Sequence, residues 1–494
     1  MRLLQLVDGL ENFQWVGFGK EETEIEELLT DSKQSSYNGL FFCLTGGKKD
    51  AHAYAEESVK NGAVALVVER ALEINVPQIL VPDARLALGV ISSKFFGDPS
   101  RKMKVIGITG TNGKTTTSYM LASILEKDGK KTGVIGTLGI RYRGKQKNSP
   151  LTTPDPIFLQ KTLSEMAASG VEYVVMEVSA HALYYKKTAG ISFAAAIFTN
   201  FSQDHLDFFG SMQAYKEAKS LLFLPSVTPI AIFNGDDETG REFAAMRENA
   251  KNRSEKTYVY GLNTPSDAFA VITDERIDGT ECLFNVNDKL CRVEIPMLGR
   301  HNVYNALAAA TCAVELGIKL SSVSLGLSAL KSVNGRLQRI GGYRGGEIFV
   351  DFAHTPDGLE KSLEALRPHC KGRLICLFGC GGNRDKAKRP LMGEVVAKKS
   401  DFAVLTSDNP RYEDPLDIIG DIEKGYRRFS VRYVVVPDRK KSIAYALDFL
   451  KDGDILLVAG KGGETYQEIL GIKYPFNDNA IIEKMIGKDT EKQV

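Results

Sequence analysis

Short apolar runs alternate with polar, helix-forming stretches along most of the chain. In the first hundred residues such runs stand at 39–44 and 63–68, and the turn-forming cluster GDPS at 97–100 then interrupts the pattern. Beyond it the rhythm becomes regular, and the next apolar runs centre near Val105, Val134, Tyr173, Ala194 and Ile230. Continuous apolar strands separated by helices predict a parallel sheet that is covered on both faces.

A second series of the same kind begins after the VNGR segment at 333–336. Its apolar runs lie at 347–351, 373–378, 401–406, 432–437 and 454–459. This spacing predicts a second α/β domain of the doubly wound type. We therefore expect an α/β protein with three domains, residues 1–97, 98–333 and 334–494, and a frayed tail at 488–494.

Composition limits the kinds of partner and the cellular location that we expect for this protein. The chain has 494 residues, of which 43% are hydrophobic and 25% charged, and a net charge of +1, so a surface built for nucleic acid is not expected. No window approaches the ~18 consecutive apolar residues of a membrane helix. Asp8 and Glu11 also precede any export-type apolar run, so a cytoplasmic location is expected. The seven cysteines are scattered without a CxxC pair, which argues against a disulfide framework or a zinc site.

The clearest chemical signal is TGTNGKTTT at 109–117, directly after an apolar run. Glycine-rich turns between a strand and a helix direct backbone N–H groups and the positive helix end at an anion. Lys114 adds a charge, and Thr115 adds a hydroxyl suited to Mg²⁺. Ile108 stands where the standard P-loop pattern has its first glycine, so the loop indicates a nucleotide but not which reaction it serves.

Two further polar groups follow apolar runs, where doubly wound sheets place their ligands. Glu177 ends the run in VVMEVS, and a carboxylate there would be costly without a metal or partner. His205 lies in FTNFSQDHLD, with Asp204 or Asp207 available to orient its ring. Both residues are candidate ligands of a metal ion.

Taken together, these motifs resemble those of the Mur ligase family of ATP-dependent amide-forming enzymes over nearly the whole chain. The segments that carry the resemblance are GTNGKT (110–115), LTTPD (151–155), MEVSAH (176–181), TNFSQDHLD (199–207), AYKEAK (214–219), LGRHNVYNA (298–306), NGRLQ (334–338) and DFAHTPD (351–357). The resemblance implies an N-terminal UDP-binding α/β domain, a central ATPase-like domain and a C-terminal Rossmann-like domain that binds the amino acid.

In that family ATP phosphorylates a substrate carboxylate, and an amine then attacks the acyl phosphate. The resemblance assigns catalysis to Lys114, Glu177, His205 and Lys219, with Lys219 carbamylated to give an anionic oxygen ligand. It implies two Mg²⁺ ions bound by Thr115, Glu177, His205 and Lys219. The implied ATP contacts are Gly110, Thr111, Asn112, Gly113, Lys114, Thr115, Thr116, Asn302, Arg336, Asp351 and His354.

The N-terminal segments TDSK (30–33) and DAHAY (50–54) resemble the UDP-binding domain of the family members that add the third peptide residue. The implied acceptor is UDP-MurNAc-L-Ala-D-Glu, and its implied contacts are Ser32, Thr152, Thr153, Ser179, Tyr185 and Lys187. The chain departs from the family pattern at Lys33, where arginine is usual, and at Tyr185 and Lys187, where glutamine and arginine are common.

The C-terminal segments 378–390 and 407–415 match the same third-residue ligases. The implied amino-acid contacts are Arg384, Asp408, Asn409, Arg411, Gly460 and Glu464. The DNPR form at 408–411 is typical of members that add meso-diaminopimelate, because arginine binds the extra carboxylate in a forked geometry. Gly463 is a further departure, since the family usually has histidine there.

Other functions stay open at this point. L-lysine is an alternative amine, and a folate enzyme that adds glutamate is a second alternative that DNPR disfavours. A P-loop regulatory ATPase or switch would use the same loop without needing the C-terminal motifs, and a non-catalytic relative could retain the fold. A monomer is expected, with ATP, the UDP-linked acceptor and the amino acid as its small-molecule partners.

Overall fold

The computed structural model describes residues 1–17, 19, 22–46, 49–149, 151–250, 255–429 and 431–487. The predicted tail at 488–494 lies outside these residues. The chain forms two compact units: unit 1 is Met1–Gly107, Lys131–Ala194 and Ser226–Thr228, and unit 2 is Ile108–Lys130, Ala195–Pro225 and Pro229–Val494. The three domain boundaries expected from the sequence stay a prediction.

Secondary structure is distributed along the whole described chain. The strands are β1 Gln14–Val16, β2 Glu27–Leu29, β3 Gly39–Phe42, β4 Ala63–Val68, β5 Gln78–Leu80, β6 Lys104–Thr109, β7 Thr132–Gly136, β8 Gly139–Tyr142, β9 Lys145–Lys147, β10 Tyr173–Glu177, β11 Phe193–Phe198, β12 Ile230–Asn234, β13 Lys256–Gly261, β14 Ala268–Arg276, β15 Gly279–Val286, β16 Lys289–Ile295, β17 Gln338–Tyr343, β18 Gly346–Asp351, β19 Leu374–Phe378, β20 Phe402–Leu405, β21 Arg432–Val435, β22 Ile455–Ala459, β23 Tyr466–Ile469 and β24 Ile472–Pro475. The α-helices are α1 Leu3–Leu6, α2 Ala55–Lys60, α3 Ala84–Phe95, α4 Lys114–Lys127, α5 Pro156–Ala168, α6 Ala180–Tyr184, α7 Leu206–Phe209, α8 Met212–Ser220, α9 Glu238–Ala250, α10 Arg300–Glu315, α11 Leu320–Ala329, α12 Pro356–Leu366, α13 Lys388–Lys399, α14 Pro415–Tyr426, α15 Arg439–Phe449 and α16 Asp478–Met485.

Unit 1 contains a five-stranded sheet in the order β1-β5-β4-β3-β2, parallel except at β1. Its helix α3 begins at Asp83, whose side chain accepts hydrogen bonds from the first-turn amides of Arg85 and Leu86, as an N-cap does. Gly89 on α3 lies so close to Ala189 that an added Cβ would stand 2.5 Å from the Cβ of Ala189. In the same unit β10 pairs in parallel with β7, and β7, β8 and β9 form an antiparallel meander.

Unit 2 holds two groups of strands. In the first, β11 to β14 are parallel and β14, β15 and β16 are antiparallel, while α10 and α11 pack against α4. In the second, the strand order is β17-β18-β22-β19-β20-β21, parallel except at β17, followed by the separate hairpin β23–β24. This second sheet confirms the doubly wound domain predicted from the five apolar runs after residue 336.

The C-terminal sheet buries apolar side chains on both faces. Ile348 and Val350 of β18 pack in one cluster with Ile443 of α15, whereas Phe349 between them packs in another with Leu363 of α12. Side chains of a strand alternate between faces, so a sheet covered on both sides needs an apolar residue at every position. That requirement explains why the strands were visible as continuous apolar runs. Within the described ranges, no helix has the length and apolar character needed to cross a bilayer.

Candidate active site

The phosphate loop lies between β6 and α4. At two of its positions the neighbouring atoms are so close that only glycine fits. Gly110 has φ +145° and an added Cβ would stand 1.9 Å from Thr199 Oγ1. Gly113 has φ +85°, and its Cβ would stand 2.4 Å from Asn305 Oδ1. Any side chain at either position would therefore force the loop apart. The turn leads directly into the fourteen-residue helix α4, whose positive end suits an anion.

Lys114 is held over this loop. Its Nζ donates to the carbonyl oxygens of Gly110 and Thr111, each at 2.9 Å. Thr115, the next residue, accepts a hydrogen bond from Arg336 Nη2 at 2.9 Å. Arg336 itself lies 4.4 Å above the ring of Phe352. The glycine-rich loop and an arginine from the predicted C-terminal domain thus meet within unit 2, while the contact of both with ATP stays a prediction.

Lys219 of α8 lies against the same loop. Its side chain is 1% exposed, its Nζ donates to Gly110 O at 2.8 Å, and it lies 4.4 Å from the ring centroid of Tyr215. Burial, with a further contribution from the charge of Lys114, holds the pKa of Lys219 well below its usual value. A neutral amine is the form that can react with CO₂. Tyr215, one helical turn earlier, was missed by the sequence reasoning, although its i−4 spacing signals the contact.

Asp204 is the centre of a charged cluster. Its carboxylate is 3.4 Å from His205 Nε2, 3.7 Å from His354 Nε2 and 3.5 Å from Lys388 Nζ. Burial by itself would raise the pKa of Asp204, but its interaction with His354 and the charge of Lys388 hold it well below its ordinary value. Of the two aspartates considered for orienting His205, Asp204 contacts its ring, and it also contacts residues far along the chain.

The predicted adenine and ribose contacts have partners of their own. Asn302 is buried and donates from Nδ2 to Leu298 O at 2.8 Å, which fixes its side chain at the start of α10. Asp351 ends β18, is 8% exposed and accepts a hydrogen bond from Ser362 Oγ. Asn112 donates from Nδ2 to Asp357 Oδ2 at 2.8 Å. The bond from Asn112 to Asp357 and the bond from Arg336 to Thr115 therefore attach two segments of the predicted C-terminal domain to the phosphate loop and the start of α4.

Glu177 and three of the predicted acceptor-binding residues form a group within unit 1. The Glu177 carboxylate is fully buried and accepts from Thr137 N at 2.9 Å and from Thr137 Oγ1 at 3.1 Å. Thr152 Oγ1 is 3.1 Å from Thr137 Oγ1. Thr153 Oγ1 donates to Glu177 O at 2.9 Å and accepts from Ser179 N at 3.0 Å. The end of β10 therefore organises the side chains that the sequence assigned to metal and acceptor.

The other predicted acceptor residues are more dispersed. Tyr185 lies 4.7 Å beneath the guanidinium of Arg85, and Lys187 forms an ion pair with Asp155 at 2.7 Å. Ser32 Oγ donates to Glu57 Oε2 at 2.6 Å. Tyr185 and Lys187, which depart from the family pattern, thus both contact other residues of unit 1, while their contact with a substrate stays a prediction.

Two of the predicted amino-acid residues, Asn409 and Glu464, belong to one hydrogen-bonded network in unit 2. Asn409 donates from Nδ2 to Glu464 Oε2 at 3.0 Å, and its Oδ1 accepts from Lys461 Nζ at 3.0 Å. Lys461 is fully buried and also reaches Glu464 at 2.8 Å. Lys461 was overlooked in the sequence, although its position three residues before Glu464 matches the spacing of a local ion pair.

The remaining members lie around this network. Gly460 has φ +110°, and an added Cβ would stand 2.5 Å from Asp408 Oδ2, so the loop after β22 approaches Asp408 closely. Arg411 also has a positive φ of +54°, and its Nη1 donates to Gly382 O at 2.8 Å. Arg384 is exposed on the adjoining loop. This arrangement presents cationic and anionic groups side by side, which is the complement of an amino acid.

Two family models match the chain. The Mur ligase middle domain covers residues 108–313, and the Mur ligase, glutamate ligase domain covers residues 335–462. A protein of Geobacillus kaustophilus named UDP-N-acetylmuramoyl-L-alanyl-D-glutamate--2,6-diaminopimelate ligase is 39% identical over 97% of this chain and 98% of its own length. One of Clostridium acetobutylicum with the same name and the number 1 is 41% identical over 95% of this chain and 96% of its own. The chain belongs to the Mur ligase family.

Solved structures agree with that assignment. A structure titled as a UDP-N-acetylmuramoyl-L-alanyl-D-glutamate--2,6-diaminopimelate ligase is 30% identical, has a TM-score of 0.70, and matches 96% of this Mur ligase and 97% of its own chain. The family resemblance and the three-domain α/β fold inferred from the motifs are therefore confirmed. The individual site residues of this Mur ligase stay predictions that its geometry makes specific.

In the described part of the chain, the side chains that could bind Mg²⁺ are few. Among the residues that the structure describes, no group of three or more His, Cys, Asp or Glu side chains could hold a metal ion. Mg²⁺ rarely uses such all-protein cages and binds through one or two side chains together with phosphate oxygens. Within unit 2, the hydroxyl of Thr115 and a carbamylated Lys219 would supply oxygen donors of the required kind, and within unit 1 the carboxylate of Glu177 is a donor of the same kind.

Proposed function

We propose that this Mur ligase joins meso-diaminopimelate to the γ-carboxylate of D-glutamate in UDP-MurNAc-L-Ala-D-Glu, with ATP converted to ADP and phosphate. One arrangement supports this function most directly. The Asn409 network, with Arg411 and Glu464, lies in the same compact unit as the phosphate loop. A regulatory ATPase would need the loop but not a second site that complements an amino acid. The names of the relatives agree with the proposal.

The first step is activation of the acceptor. The γ-carboxylate attacks the γ-phosphorus of ATP, ADP leaves, and an acyl phosphate remains as the electrophile. Lys114 and the amides of the phosphate loop bind the phosphates, and Arg336, which is hydrogen-bonded to Thr115, adds a second positive charge beside them. The residues of this step are cationic or polar donors because two anions, a carboxylate and a phosphate, must be brought into contact.

Lys219 serves this step in its carbamylated form. Its uncharged amine attacks CO₂, forming an N–C bond and releasing one proton, and the product is an anion. Thr115, Glu177, His205 and carbamylated Lys219 are the proposed holders of two Mg²⁺ ions, whose chemistry is to offset the negative charge of phosphate and carboxylate. The low pKa and the burial of Lys219 both favour the neutral amine that this modification needs.

The second step is attack by the amine. Asn409, Arg411 and Glu464 hold the amino acid, with Arg384 near its carboxylates. The α-amine attacks the acyl carbon, the tetrahedral intermediate loses a proton from nitrogen, and phosphate leaves. Orientation is the main contribution of these residues, because an amine held in place replaces a collision in solution.

Phosphate release tests the function. The enzyme is supplied with ATP and UDP-MurNAc-L-Ala-D-Glu, together with meso-diaminopimelate, L-lysine or no amine, and a parallel reaction offers a folate with glutamate. We expect fast release with diaminopimelate, slower release with lysine, and little with the other mixtures. Release that does not depend on the amine would contradict the ligase function, and fastest release with lysine would reassign the substrate.

A further inference from the structure

One ion pair lies within the predicted amino-acid site and has no part in the chemistry described above. Arg411 Nε is 3.1 Å from Glu468 Oε2, and the two side chains are 18% and 21% exposed. They are therefore neither sealed in the core nor fully solvated, and a ligand in the site can reach both. The arginine assigned to a substrate carboxylate already has a carboxylate of the protein beside it.

Backbone contacts fix Glu468 in this place. Its N–H donates to Asn409 Oδ1 at 2.9 Å, and its carbonyl accepts from Arg411 N at 3.1 Å. Leu470 N donates in turn to Arg411 O at 2.7 Å. Glu468 is thus attached to two residues of the predicted amino-acid site, and its side chain belongs to that site rather than to the open surface of the β23–β24 hairpin.

The ion pair between Arg411 and Glu468 determines which charged groups of a ligand can bind there. A carboxylate that approaches Arg411 must compete with Glu468 and, on displacing it, leaves that anion without its partner. An ammonium that approaches Glu468 leaves Arg411 uncompensated in the same way. A group that carries both charges can take both places at once, with its carboxylate on Arg411 and its ammonium on Glu468.

Glu464 differs from Glu468 in this respect. The charge of Glu464 is balanced from within the protein by Lys461, whose side chain is fully buried. Glu468 is balanced by Arg411, the group that a substrate carboxylate would engage. Binding of a carboxylate to Arg411 therefore makes Glu468 available to an ammonium on the same ligand.

We propose that Glu468 is a specificity-determining residue which, with Arg411, selects an amine substrate whose far end carries both an ammonium and a carboxylate. This inference rests on the proposed function and adds to it the basis of the choice between amines. Diaminopimelate has such a far end. L-lysine is the same molecule without the far carboxylate, and L-2-aminopimelate is the same molecule without the far ammonium.

These three compounds test the proposal in the wild-type enzyme. The measured quantity is kcat/KM for amine-dependent phosphate release at saturating ATP and UDP-linked acceptor. Loss of one charge-assisted contact corresponds to a factor on the order of ten to a hundred. We expect kcat/KM for diaminopimelate to exceed that for each single-charge compound by at least that factor, mainly through KM. Equal use of L-2-aminopimelate and diaminopimelate would overturn the proposal.

The variant Glu468→Gln isolates the residue, because glutamine keeps the size of the side chain and removes its charge. We expect kcat/KM for diaminopimelate to fall by roughly tenfold or more and that for L-2-aminopimelate to stay constant or rise, so their ratio collapses. Glu347→Gln is the matched control, since Glu347 forms a comparable ion pair with Arg339 at 2.7 Å elsewhere in the C-terminal sheet.

Failure of the role proposed for Glu468 and failure of the proposed function give different results. A parallel fall for all three amines in Glu468→Gln, with their ratios unchanged, would indicate a purely structural role and would overturn the inference. If the variant does not fold, equal use of diaminopimelate and L-2-aminopimelate by the wild-type enzyme would still overturn the inference. If the wild-type enzyme releases no phosphate with any of them, the proposed function fails instead.

Discussion

At the scale of single residues, the most informative side chain is Lys219. A lysine on an amphipathic helix is ordinarily solvated, yet this one is buried against Gly110 O and the ring of Tyr215. An ammonium in that position would lose its hydration and face the charge of Lys114, which is why its pKa is low. The environment therefore suits a neutral or carbamylated nitrogen better than a cation.

Replacing Lys219 by alanine tests this role. Without the carbamate oxygens we expect kcat to fall by on the order of a hundredfold or more. Short carboxylic acids such as acetate should restore part of the activity, because they can occupy the space with an anionic oxygen. Phosphate release with and without acetate is the measurement. Lys216→Ala, on the solvent side of the same helix, is the control, and undiminished activity of Lys219→Ala would rule the role out.

At the scale of elements, an ion-pair cluster joins the segment before α14 to α13. Arg389 of α13 is buried, and its two terminal nitrogens each lie 3.0 Å from a different oxygen of Glu413. Asp421 of α14 adds a third contact at 3.0 Å. The hydrogen bonds from Arg389, opposed by a smaller effect of burial, lower the pKa of Glu413 to about 2. The charged form of Glu413 is thus part of what holds these helices together.

Acid should weaken this attachment in a predictable window. A carboxylate whose pKa is lowered on folding, here from 4.5 to about 2, stabilises the protein fully above pH 4.5 and loses that contribution as the pH falls towards 2. Glu413→Gln should therefore lower the free energy of unfolding at pH 7 by about 1–3 kcal/mol, and the difference from wild type should shrink below pH 4.5.

Urea denaturation at a series of pH values measures this difference. Glu364→Gln serves as the comparison, because Glu364 is an exposed partner of Lys399 and should change stability by less than about 1 kcal/mol at any pH. A Glu413→Gln difference that stays constant from pH 7 to pH 3 would show that the charge of Glu413 is not what stabilises these helices.

At the scale of the whole molecule, unit 2 combines residues that are far apart in the chain. Asp204 meets His354 and Lys388, and Arg336 meets Thr115 across 221 positions. Thr115 and Asp204, which lie before position 220, thereby contact the predicted C-terminal domain. These contacts make the geometry of the nucleotide site depend on more than the phosphate loop itself.

Asp204→Asn tests that dependence. Removing the carboxylate leaves His205, His354 and Lys388 without the anion they face, so we expect kcat/KM for ATP to fall by on the order of tenfold to a hundredfold. Steady-state kinetics with varied ATP is the measurement, and Asp278→Asn, an exposed carboxylate near Arg276, is the control. Equal ATP kinetics in wild type and Asp204→Asn would show that the cluster does not support the nucleotide site.

Some features of this molecule were readable directly from the chain. The bounds of five strands in the C-terminal sheet agree with their predicted apolar runs within two residues; for example, the run 401–406 corresponds to the strand Phe402–Leu405. The agreement is close because a strand that is buried on both faces is apolar at every position, and such a run can be recognised in the sequence. The phosphate loop is equally local, since its turn glycines and the helix that follows are consecutive. Family membership followed from such segments and their order.

Other features could not be predicted from any short segment of the sequence. The contact between Lys219 and Gly110 O joins residues 109 positions apart, and the pair of Arg411 and Glu468 joins residues 57 positions apart. Burial, pKa and the choice of ion-pair partner depend on which segments the fold brings together, and no short pattern encodes them. The sequence by itself thus determined the strands that are continuous apolar runs, the phosphate loop and the family, because those depend on neighbouring residues. Only the tertiary structure decided that the Lys219 amine is buried against Gly110 O and that Arg411 lies beside Glu468, because both contacts depend on distant residues.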